Sequence, residues 1–387
     1  MEDGVLTLNC GSSSIKFAVF ENAASARRIV HGSIEEFGAA PHFRAFDGDG
    51  APVAEKRWQA GTLDGFFGGL LNWLDDHLRG RPLAAAGHRI VHGGDHFAAP
   101  CRLTESVLSE LERFERLAPL HQPHNLAAVK AVAQFRPGLP QFGCFDTAFH
   151  QTMEPTARRF GLPREWEHKG IRRYGFHGLS YQYVAARLKK LAPNEAHGRI
   201  LIAHLGNGAS LCALRNGQSI DTTMGFSTLD GLVMGSRCGA LDPGVIFYLL
   251  RQGMDPSAVE DMLYMRSGLL GVSGISSDMR ALLASTDSGA EDAVELFVFR
   301  VARESAALAM SMGGLDGLVF TAGIGEGSAE IRRRICDRLS WLGLSLDAAA
   351  NNNGRLEIHA PSSRIKAWVI PTDEEAVIAE QVRQMLN

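Results

Sequence analysis

Five short stretches of this chain combine glycine, histidine, arginine and aspartate outside any amphipathic pattern. They lie at residues 88–94, 117–123, 145–150, 174–178 and 235–243. The planar fork of an arginine can bind carboxylate or phosphate oxygens, and a histidine can donate a hydrogen bond to a phosphoryl group. Chemistry on a nucleoside triphosphate requires such cations and N–H donors, together with a position for magnesium. These stretches therefore predict chemistry on small anionic or phosphorylated substrates.

Two other segments, residues 5–20 and 200–214, repeat one pattern. Each is an apolar strand, a tight turn rich in glycine, asparagine and serine, and a second apolar strand. Such a hairpin places backbone N–H groups and short hydroxyls at its tip, where little side-chain bulk blocks an anion. Because the copies are widely separated along the chain, they predict a duplicated fold with phosphate bound between the halves.

A third segment, Gly323-Ile324-Gly325-Glu326-Gly327, follows a predicted strand as a glycine-rich turn and precedes a predicted helix. It resembles half of a dinucleotide-binding fingerprint, but its third glycine comes one residue early. The same turn could let an adenosine lie against the backbone and the helix N-terminus, or it could be only a tight connection. The sequence contains no G-x-x-x-x-G-K-[ST] motif, which excludes a P-loop.

The rest of the chain alternates between helical and strand patterns. The predicted helices cover 63–78, the segments after Thr104 and Pro123, a segment capped by Ser180, about 290–311, a segment from 331, and the segment after Asp373. The predicted strands, besides the two hairpins, cover 84–91, 141–145, 317–321 and 365–370. This alternation in two similar halves predicts an α/β protein with two mixed sheets and a cleft between them.

The composition narrows the functional classes. With 387 residues the chain is long enough for two cores, and a net charge of -4 gives no reason to expect nucleic-acid binding. Its six cysteines form no C-x-x-C pair, which argues against a zinc or redox site and favours buried free thiols. The acidic first residues do not resemble a signal peptide, and no apolar run reaches the length of a membrane span. We therefore expect a cytoplasmic protein without a membrane partner.

In their order and spacing, the five stretches and the two hairpins resemble the acetate kinase family, over essentially the whole chain. The resemblance implies a duplicated actin-like, ribonuclease H-like fold of two domains with a nucleotide cleft between them. Residues 1–145 with 374–387 would form the acceptor and phosphate-side domain, which includes the returning C-terminal helix. Residues 146–373 would form the nucleotide-binding and dimerisation domain, and the cleft would close on binding. The implied reaction is reversible, direct in-line phosphoryl transfer between ATP and acetate, giving ADP and acetyl phosphate.

The resemblance implies four catalytic residues. Arg89 and Arg237 match a pair of arginines, His177 a histidine beside the transferring phosphoryl group, and Asp146 an essential aspartate. A carboxylate is already ionised at neutral pH, so it needs relief from charge repulsion and no general base. Asp146 would accordingly position magnesium or orient an arginine, unless it is only a turn or cap residue.

The substrate's acyl group is implied to lie in a largely apolar pocket. The implied substrate-binding residues are Arg89, Val91, Leu120, Phe176 and Thr228. Thr228 stands where the family typically has a proline, so the pocket loses a rigid backbone angle and gains a hydroxyl. One methylene in an apolar pocket discriminates by only about 1–3 kcal/mol. Propionate or another short-chain carboxylate is therefore the alternative substrate.

Nucleotide binding is implied for residues of both hairpins and of two later segments. They are Ser12, Ser14, Lys16, His204, Leu205, Gly206, Asn207, Gly208, Asp278, Met279, Arg280, Gly323, Ile324, Gly325, Glu326 and Gly327. Asn9 and Glu374 are the implied ligands of Mg²⁺, with Mn²⁺ as a substitute. Glu374 could equally belong to the acidic first turn of the last helix. His121 matches a further histidine near the cleft, and a homodimer through the second domain is implied.

The chain departs from the family pattern at some other positions. Tyr181 stands where the family has a histidine, Leu179 replaces a threonine, Gly327 an asparagine and Ala240 an acidic residue. The sequence disfavours two other functional classes. A non-catalytic, nucleotide-gated binding protein of the actin type would share the hairpins but has no use for Arg89 in an apolar pocket. An NAD-dependent oxidoreductase would need an N-terminal fingerprint that the chain lacks.

Overall fold

The computed structural model describes residues 3–11, 14–23, 26–36, 40–59, 61–119 and 121–387. The chain divides into two compact units, which are Met1–Ala148 with Asp373–Asn387, and Phe149–Thr372. The sequence predicts the boundaries at 145/146 and 373/374, so the segment 146–148, which begins with Asp146, and Asp373 are assigned differently. Both belong to the first unit, because Asp146 is bound to a neighbouring strand of that unit and Asp373 begins its last helix.

The strands of the described chain form one sheet in each unit. In chain order they are β1 (Gly4–Cys10), β2 (Ser14–Glu21), β3 (Arg28–Glu35), β4 (His42–Asp47), β5 (Pro52–Arg57), β6 (Leu83–Ile90), β7 (Cys101–Arg102), β8 (Gln141–Phe145), β9 (Arg199–Leu205), β10 (Ala209–Arg215), β11 (Gln218–Thr222), β12 (Gly317–Thr321) and β13 (Lys366–Val369). The predicted hairpins are β1 with β2 and β9 with β10, both antiparallel. Both hairpin predictions are confirmed.

Helices cover the sheets and connect their strands. They are α1 (Leu63–Leu78), α2 (Glu105–Glu112), α3 (Gln122–Phe135), α4 (Pro155–Arg158), α5 (Arg164–His168), α6 (Gly178–Leu191), α7 (Pro243–Arg251), α8 (Pro256–Met265), α9 (Gly268–Ser273), α10 (Met279–Ala284), α11 (Ser288–Met312), α12 (Ala322–Gly327), α13 (Ala329–Arg338), α14 (Ala348–Asn352) and α15 (Glu374–Leu386). Across the described ranges, none of these helices is both long and apolar enough to cross a membrane.

One strand arrangement occurs in both sheets. The sheet of the second unit has the order β11-β10-β9-β12-β13, and that of the first unit contains β3-β2-β1-β6-β8 with extra strands at each edge. In both, the first three strands are antiparallel to one another, and the last two run parallel to the third. This is the duplicated ribonuclease H-like arrangement that the sequence predicts, and the α/β fold class is confirmed.

Helix α1 shows how the apolar pattern builds the core of the first unit. Thr62 caps the helix by accepting a hydrogen bond from the backbone N–H of Gly65 at 3.2 Å. Its inward face, including Leu70 and Leu74, belongs to one buried cluster with apolar side chains of β1 and β2. Burying each such leucine contributes about 1.5–3 kcal/mol. This packing fixes the β1–β2 hairpin, which carries Asn9.

The long predicted helix of the second unit is confirmed as α11. Asp287 caps its start by accepting a hydrogen bond from the N–H of Gly289 at 2.7 Å. Gly313 ends it in the left-handed conformation, with φ of 73°. Its buried face includes Val294, Phe297 and Val301. The apolar periodicity of the segment therefore predicts both its helical state and its inward face.

Two local predictions in the second unit are wrong. Ser180 does not cap a helix, because α6 already begins at Gly178 and His177 is its N-cap, with a left-handed φ of 59°. The hydroxyl of Ser180 instead contacts His204. The glycine-rich segment after β12 is the short helix α12 rather than a turn. The carboxylate of Glu326 stabilises α12 by accepting a hydrogen bond from the N–H of Ala322 at 2.7 Å.

Every cysteine lies in the described part of the chain and is a free thiol, as predicted. Burial raises the pKa of Cys10 and of Cys336 to about 12. Both thiols are therefore protonated at neutral pH and pack as small apolar side chains.

Candidate active site

The first unit brings three predicted site residues to one edge of its sheet. Strands β1, β6 and β8 are neighbours and run parallel, so their carboxyl ends meet at the same edge. Asn9 lies near the end of β1, Arg89 near the end of β6, and Asp146 directly after β8. The strand alternation thus places an amide, a guanidinium and a carboxylate side by side.

Arg89 is the centre of this cluster. Its Nε and Nη2 donate to Oδ2 of Asp146 at 3.1 and 2.6 Å, and its Nη1 donates to Oδ1 of Asn9 at 3.0 Å. The arginine side chain is 16% exposed, and that of Asp146 is fully buried. Burial lowers the pKa of Arg89, but the charges of Asp146 and Glu374 outweigh it and raise that pKa above its ordinary value. The cluster therefore holds one fixed positive charge that is nearly shielded from water.

The returning helix α15 adds a second carboxylate. Oε2 of Glu374 accepts a hydrogen bond from Nδ2 of Asn9 at 3.2 Å and lies 3.8 Å from Nε of Arg89. Asp373, not Glu374, caps the helix by accepting from the N–H of Ala376. Glu374 is therefore placed in the polar cluster and is more than part of an acidic first turn.

The loop after β6 is held by side chains that the sequence reasoning did not single out. Asn125 accepts a hydrogen bond from the N–H of Val91 at 2.9 Å and donates to the carbonyl of Cys10 at 2.6 Å. The N–H of Gly93 donates to the hydroxyl of Thr147 at 3.0 Å. Asn125 and Thr147 are both buried, so each hydrogen bond also satisfies a desolvated group. They fix the segment in which the predicted pocket residue Val91 lies.

The structure also describes three other predicted site residues of the first unit, Lys16, Ser14 and His121. Lys16 is exposed on β2 and pairs with Asn9 in the hairpin register, and Ser14 begins that strand. His121 is the N-cap position of α3 without a side-chain cap hydrogen bond. The predictions for Ser12 and Leu120 fall outside the described residues.

In the second unit, two predicted histidines stack beside the glycine tip of the β9–β10 hairpin. The ring centroids of His177 and His204 are 4.1 Å apart, and their planes differ by 18°. A β-carbon on Gly208 would lie 3.3 Å from Nε2 of His177 and 3.9 Å from Nη1 of Arg237. A β-carbon on Gly206 would lie 4.0 Å from Nε2 of His204. The tip is thus bordered by two imidazoles and one guanidinium, and between its two glycines only Asn207 carries a side chain.

Arg237 is positioned by the backbone around it. Its Nη1 donates to the carbonyl oxygen of Thr228 at 3.1 Å. Because the contact uses a main-chain oxygen, a proline at this position could accept the same hydrogen bond. The aromatic ring of Phe176 is buried, and its carbonyl accepts from Nε2 of His150 at 3.0 Å. The structure thus links Thr228 to Arg237 in the second unit, whereas Val91 of the predicted acyl pocket belongs to the first unit.

Two glycines permit this packing. A β-carbon on Gly235 would lie 2.0 Å from Oδ1 of Asn207, so only glycine lets the loop pass the hairpin tip. Gly268 has a φ of 63°, and a β-carbon there would lie 2.2 Å from the carbonyl oxygen of Met234. Gly235 belongs to a predicted stretch, but nothing in the sequence marks Gly268, whose role depends on a distant loop.

A cavity of 890 Å³ lies within the second unit, next to the hairpin tip. It is lined by Gly206, Asn207, Ser277, Asp278, Met279, Arg280, Leu283, Ala284, Gly323, Ile324, Gly327 and Ser328. Most of these residues are among those predicted to bind the nucleotide. The cavity thus brings together the hairpin tip, the start of α10 and the start of α12. Its volume fits a ligand of nucleotide size.

Three residues predicted to bind nucleotide support the cavity or the core rather than line the cavity. Glu326 uses Oε1 to accept from the N–H groups of Ala322 and Thr372. The carbonyl of Gly325 accepts from Nη1 of Arg332 at 2.9 Å. The side chain of Leu205 is fully buried in the core. Gly325 thus acts through its backbone, whereas Glu326 and Leu205 act through their side chains.

Arg332 is a supporting residue that the sequence reasoning missed. It is 2% exposed, and its hydrogen-bond partners within the described residues include no carboxylate. Its guanidinium donates to the carbonyls of Gly325, Glu326 and Asn351 and to Oδ1 of Asn351. Burial lowers the pKa of this arginine. It fixes α12 against α14, and therefore fixes one wall of the cavity.

The oxygen donors of the first unit suit a magnesium ion that arrives with a phosphate. Among the described residues, no group of three or more His, Cys, Asp or Glu side chains could hold a metal ion. Asn9, Asp146 and Glu374 nevertheless supply amide and carboxylate oxygens around Arg89. Mg²⁺ commonly binds through one or two carboxylates, substrate phosphates and retained waters. The cluster fits that arrangement better than a permanent protein cage.

Comparison with known proteins gives one consistent result. The sequence model of the acetokinase family matches residues 4–380. The chain is 52% identical to the acetate kinase of Rhodopseudomonas palustris, and the alignment covers 100% of this chain and 99% of that protein. Among solved structures, a propionate kinase from Francisella tularensis has a TM-score of 0.92 at 37% identity and covers 98% of each chain. The acetate kinase of Porphyromonas gingivalis has a TM-score of 0.89 at 35% identity and covers 100% of each chain.

Proposed function

The chain belongs to the acetokinase family, and we propose that it catalyses reversible, Mg²⁺-dependent phosphoryl transfer between ATP and acetate, forming ADP and acetyl phosphate. The observation that carries this proposal is the shielded, permanently charged guanidinium of Arg89. An ionised carboxylate must approach a triphosphate against charge repulsion, and such a cation offsets that repulsion. A protein that only binds nucleotide has no need of this group.

Asp146 acts in this proposal by orienting Arg89. The acetate carboxylate has no proton to lose at neutral pH, so a general base is unnecessary. Oδ2 of Asp146 already accepts two N–H groups of Arg89, which supports orientation over proton transfer. Val91, on the loop after β6, supplies an apolar contact for the acyl methyl group.

Arg237, His177 and the glycine tip of the β9–β10 hairpin stabilise the phosphoryl group during its transfer. Negative charge spreads over its equatorial oxygens during transfer, and preorganised donors near that charge lower the barrier. The N–H of Gly206 donates to the carbonyl oxygen of Gly208 at 3.1 Å, which fixes the tip, and neither glycine adds a side chain there. The 890 Å³ cavity beside the tip accepts the nucleoside. We expect loss of Arg237 or of His177 to abolish transfer, as loss of Arg89 should.

Mg²⁺ would be held by Asn9 and Glu374 in this proposal, with Mn²⁺ as a substitute. When bound, the ion neutralises charge on the nucleotide phosphates. Asn9 links Arg89 to Glu374, because its Oδ1 accepts a hydrogen bond from Arg89 and its Nδ2 donates one to Glu374. A cytoplasmic location stays a prediction from the sequence.

The direct test is formation of acyl phosphate. Purified protein is incubated with ATP, Mg²⁺ and acetate, propionate or butyrate, and hydroxylamine traps the product as a hydroxamate. We expect acetyl hydroxamate in stoichiometric proportion to ADP. Arg89→Ala should abolish it, whereas Arg303→Ala, which changes an exposed arginine on α11, should not. Binding of ATP without product from any of the acids would favour the non-catalytic alternative and contradict the proposal.

Propionate is the second candidate substrate, because Thr228 departs from the family's proline. The similarity to the propionate kinase of Francisella tularensis also supports it. An apolar pocket separates acids that differ by one methylene by only about 1–3 kcal/mol. The ratio of kcat/KM for acetate and propionate decides between them. A ratio in favour of propionate would make this chain a propionate kinase with the same mechanism.

A homodimer through the second unit is part of the same proposal. Helix α7 is apolar but has no buried residue, and Val245, Phe247 and Tyr248 on it are 39%, 56% and 60% exposed. Leu241 and Leu250 extend this apolar surface. A continuous surface of this kind is typical of an interface between copies.

Light scattering after gel filtration tests the dimer. The unmodified chain should elute with twice the monomer mass, and Phe247→Glu should shift it toward the monomer. Trp341→Glu changes a side chain that is 71% exposed outside this surface, and should leave the dimer intact. A monomeric unmodified chain at micromolar concentration would contradict the proposed interface.

A further inference from the structure

The two stacked histidines share one pattern of hydrogen bonding. Nδ1 of His177 lies 2.8 Å from the hydroxyl of Ser210, and Nδ1 of His204 lies 2.8 Å from the hydroxyl of Ser180. Both serines are fully buried. In each ring, the opposite nitrogen, Nε2, borders a glycine of the β9–β10 tip. One nitrogen of each histidine is therefore hydrogen-bonded to a serine, and the other lies beside the glycine tip.

A third hydroxyl extends the contact to His177. The phenol of Tyr181 hydrogen-bonds to the hydroxyl of Ser210, and the tyrosine side chain is fully buried. Tyr181 also packs edge-on against the ring of His204. Tyr181, Ser210 and His177 thus form one line of hydrogen bonds.

For a neutral His177, proton counting leaves two arrangements of these hydrogen bonds. In one, Tyr181 donates to Ser210, Ser210 donates to Nδ1 of His177, and the imidazole proton lies on Nε2. In the other, Nδ1 carries the proton and donates to Ser210, which leaves a lone pair on Nε2. Phosphoryl oxygens are acceptors, so only the first arrangement presents a donor to them.

We propose that Ser210 and Tyr181 are positioning residues that fix His177 as the Nε2–H tautomer, with Ser180 doing the same for His204. The inference rests on the proposed phosphoryl transfer, because that reaction gives the Nε2–H groups their use. A hydrogen-bond partner on one ring nitrogen sets which nitrogen carries the proton. The buried hydroxyls thus supply the tautomer before the nucleotide arrives.

Nitrogen NMR of histidine-labelled protein measures the tautomer without substrate. The two-bond proton–nitrogen correlations of an imidazole differ between its two neutral forms, and His177→Gln identifies the signals of that ring. We expect the Nε2–H pattern for His177 in the unmodified chain. Tyr181→Phe and Ser210→Ala should convert it to a mixture of forms. Ser305→Ala, which removes another buried hydroxyl from α11, is the matched control and should change nothing.

Kinetics provide the second readout. Tyr181→Phe should lower kcat by about tenfold. The loss should be smaller than for complete removal of a preorganised donor, because His177 keeps its ring and only part of the Nε2–H form is lost. The KM for ATP should stay unchanged, since binding does not depend on the tautomer. Ser210→Thr keeps a hydroxyl and should retain most of the activity that Ser210→Ala loses.

An Nδ1–H pattern in the unmodified chain would overturn the proposal. So would an unchanged spectrum and kcat in Tyr181→Phe. If the protein makes no acyl phosphate at all, the proposed function fails, but the NMR experiment still decides whether the hydroxyls set the tautomer.

Discussion

The imidazoles of His177 and His204 stack nearly parallel, with ring centroids 4.1 Å apart. His177 begins helix α6 in a left-handed conformation, and His204 lies near the end of β9. Each imidazole ring therefore packs against one face of the other. The stack joins a helix start and a strand end beside the same glycine tip.

Loss of one ring should disturb the other. We expect His204→Ala to lower kcat by about tenfold, because His177 loses the surface that limits its rotation. Steady-state kinetics, with circular dichroism to check folding, measure this effect. His168→Ala changes an exposed histidine and serves as the control. An unchanged kcat in His204→Ala would show that Ser210 alone orients His177.

Asp146 should matter for both stability and turnover. Asp146→Asn removes the charge that holds the shielded guanidinium of Arg89, and breaking such a buried pair typically costs about 3–5 kcal/mol. We expect a lower free energy of unfolding in urea, together with a large loss of kcat. Asp337→Asn breaks an exposed pair with Arg333 and should cost less than about 1 kcal/mol. Equal effects of the two substitutions would contradict the role of Asp146.

Gly235 should be required for nucleotide binding. In Gly235→Ala, the added methyl group would lie 2.0 Å from Oδ1 of Asn207. Asn207 lines the cavity, and its side chain would have to move. Isothermal titration should show a weaker affinity for ATP. Gly161→Ala is the control, because a β-carbon there meets no atom within 4 Å. Unchanged ATP affinity in Gly235→Ala would mean that Asn207 is not a nucleotide contact.

Acid should destabilise the protein through His88 and His150. Burial lowers the pKa of each to about 4, from an ordinary value of 6.5. The unfolded chain therefore binds more protons than the folded chain as the pH falls from 6.5 toward 4. The stabilisation is fully present above pH 6.5 and decreases through this window by up to about 3 kcal/mol for each histidine.

Urea unfolding at several pH values tests this titration. His88→Gln should flatten the loss of stability across the window, because glutamine does not titrate. His168→Gln changes an exposed histidine and should leave the slope unchanged. A slope that is the same in all three proteins would contradict the assignment to buried histidines.

The elements and the polar cluster of the first unit are predictable from local patterns. Alternating apolar residues and glycine turns mark the two hairpins, and strand ends place Arg89 and Asp146 at one edge. The cap of α6 is not predictable from local patterns. Ser180 is a good cap residue by type, but its hydroxyl hydrogen-bonds to His204, which is distant in the sequence. Tertiary contacts of this kind override local preference.

Arg332 illustrates the same limit within one helix. It shares the inward face of α13 with Ile331 and Ile335, although its residue type favours the surface. Its partners, the carbonyls of α12 and the side chain of Asn351, come from separate segments. The helical periodicity is compatible with a buried Arg332, but the hydrogen-bond acceptors of its guanidinium are brought to it only by the fold.

The central claim is that a carboxylate oxygen attacks the terminal phosphorus of ATP. Acetate labelled with ¹⁸O at both oxygens tests it, with phosphorus NMR of the acetyl phosphate formed. We expect the phosphorus of the product to be bonded to one labelled oxygen, and Arg89→Ala to give no such product. Hydrolysis of ATP without labelled acetyl phosphate would contradict it.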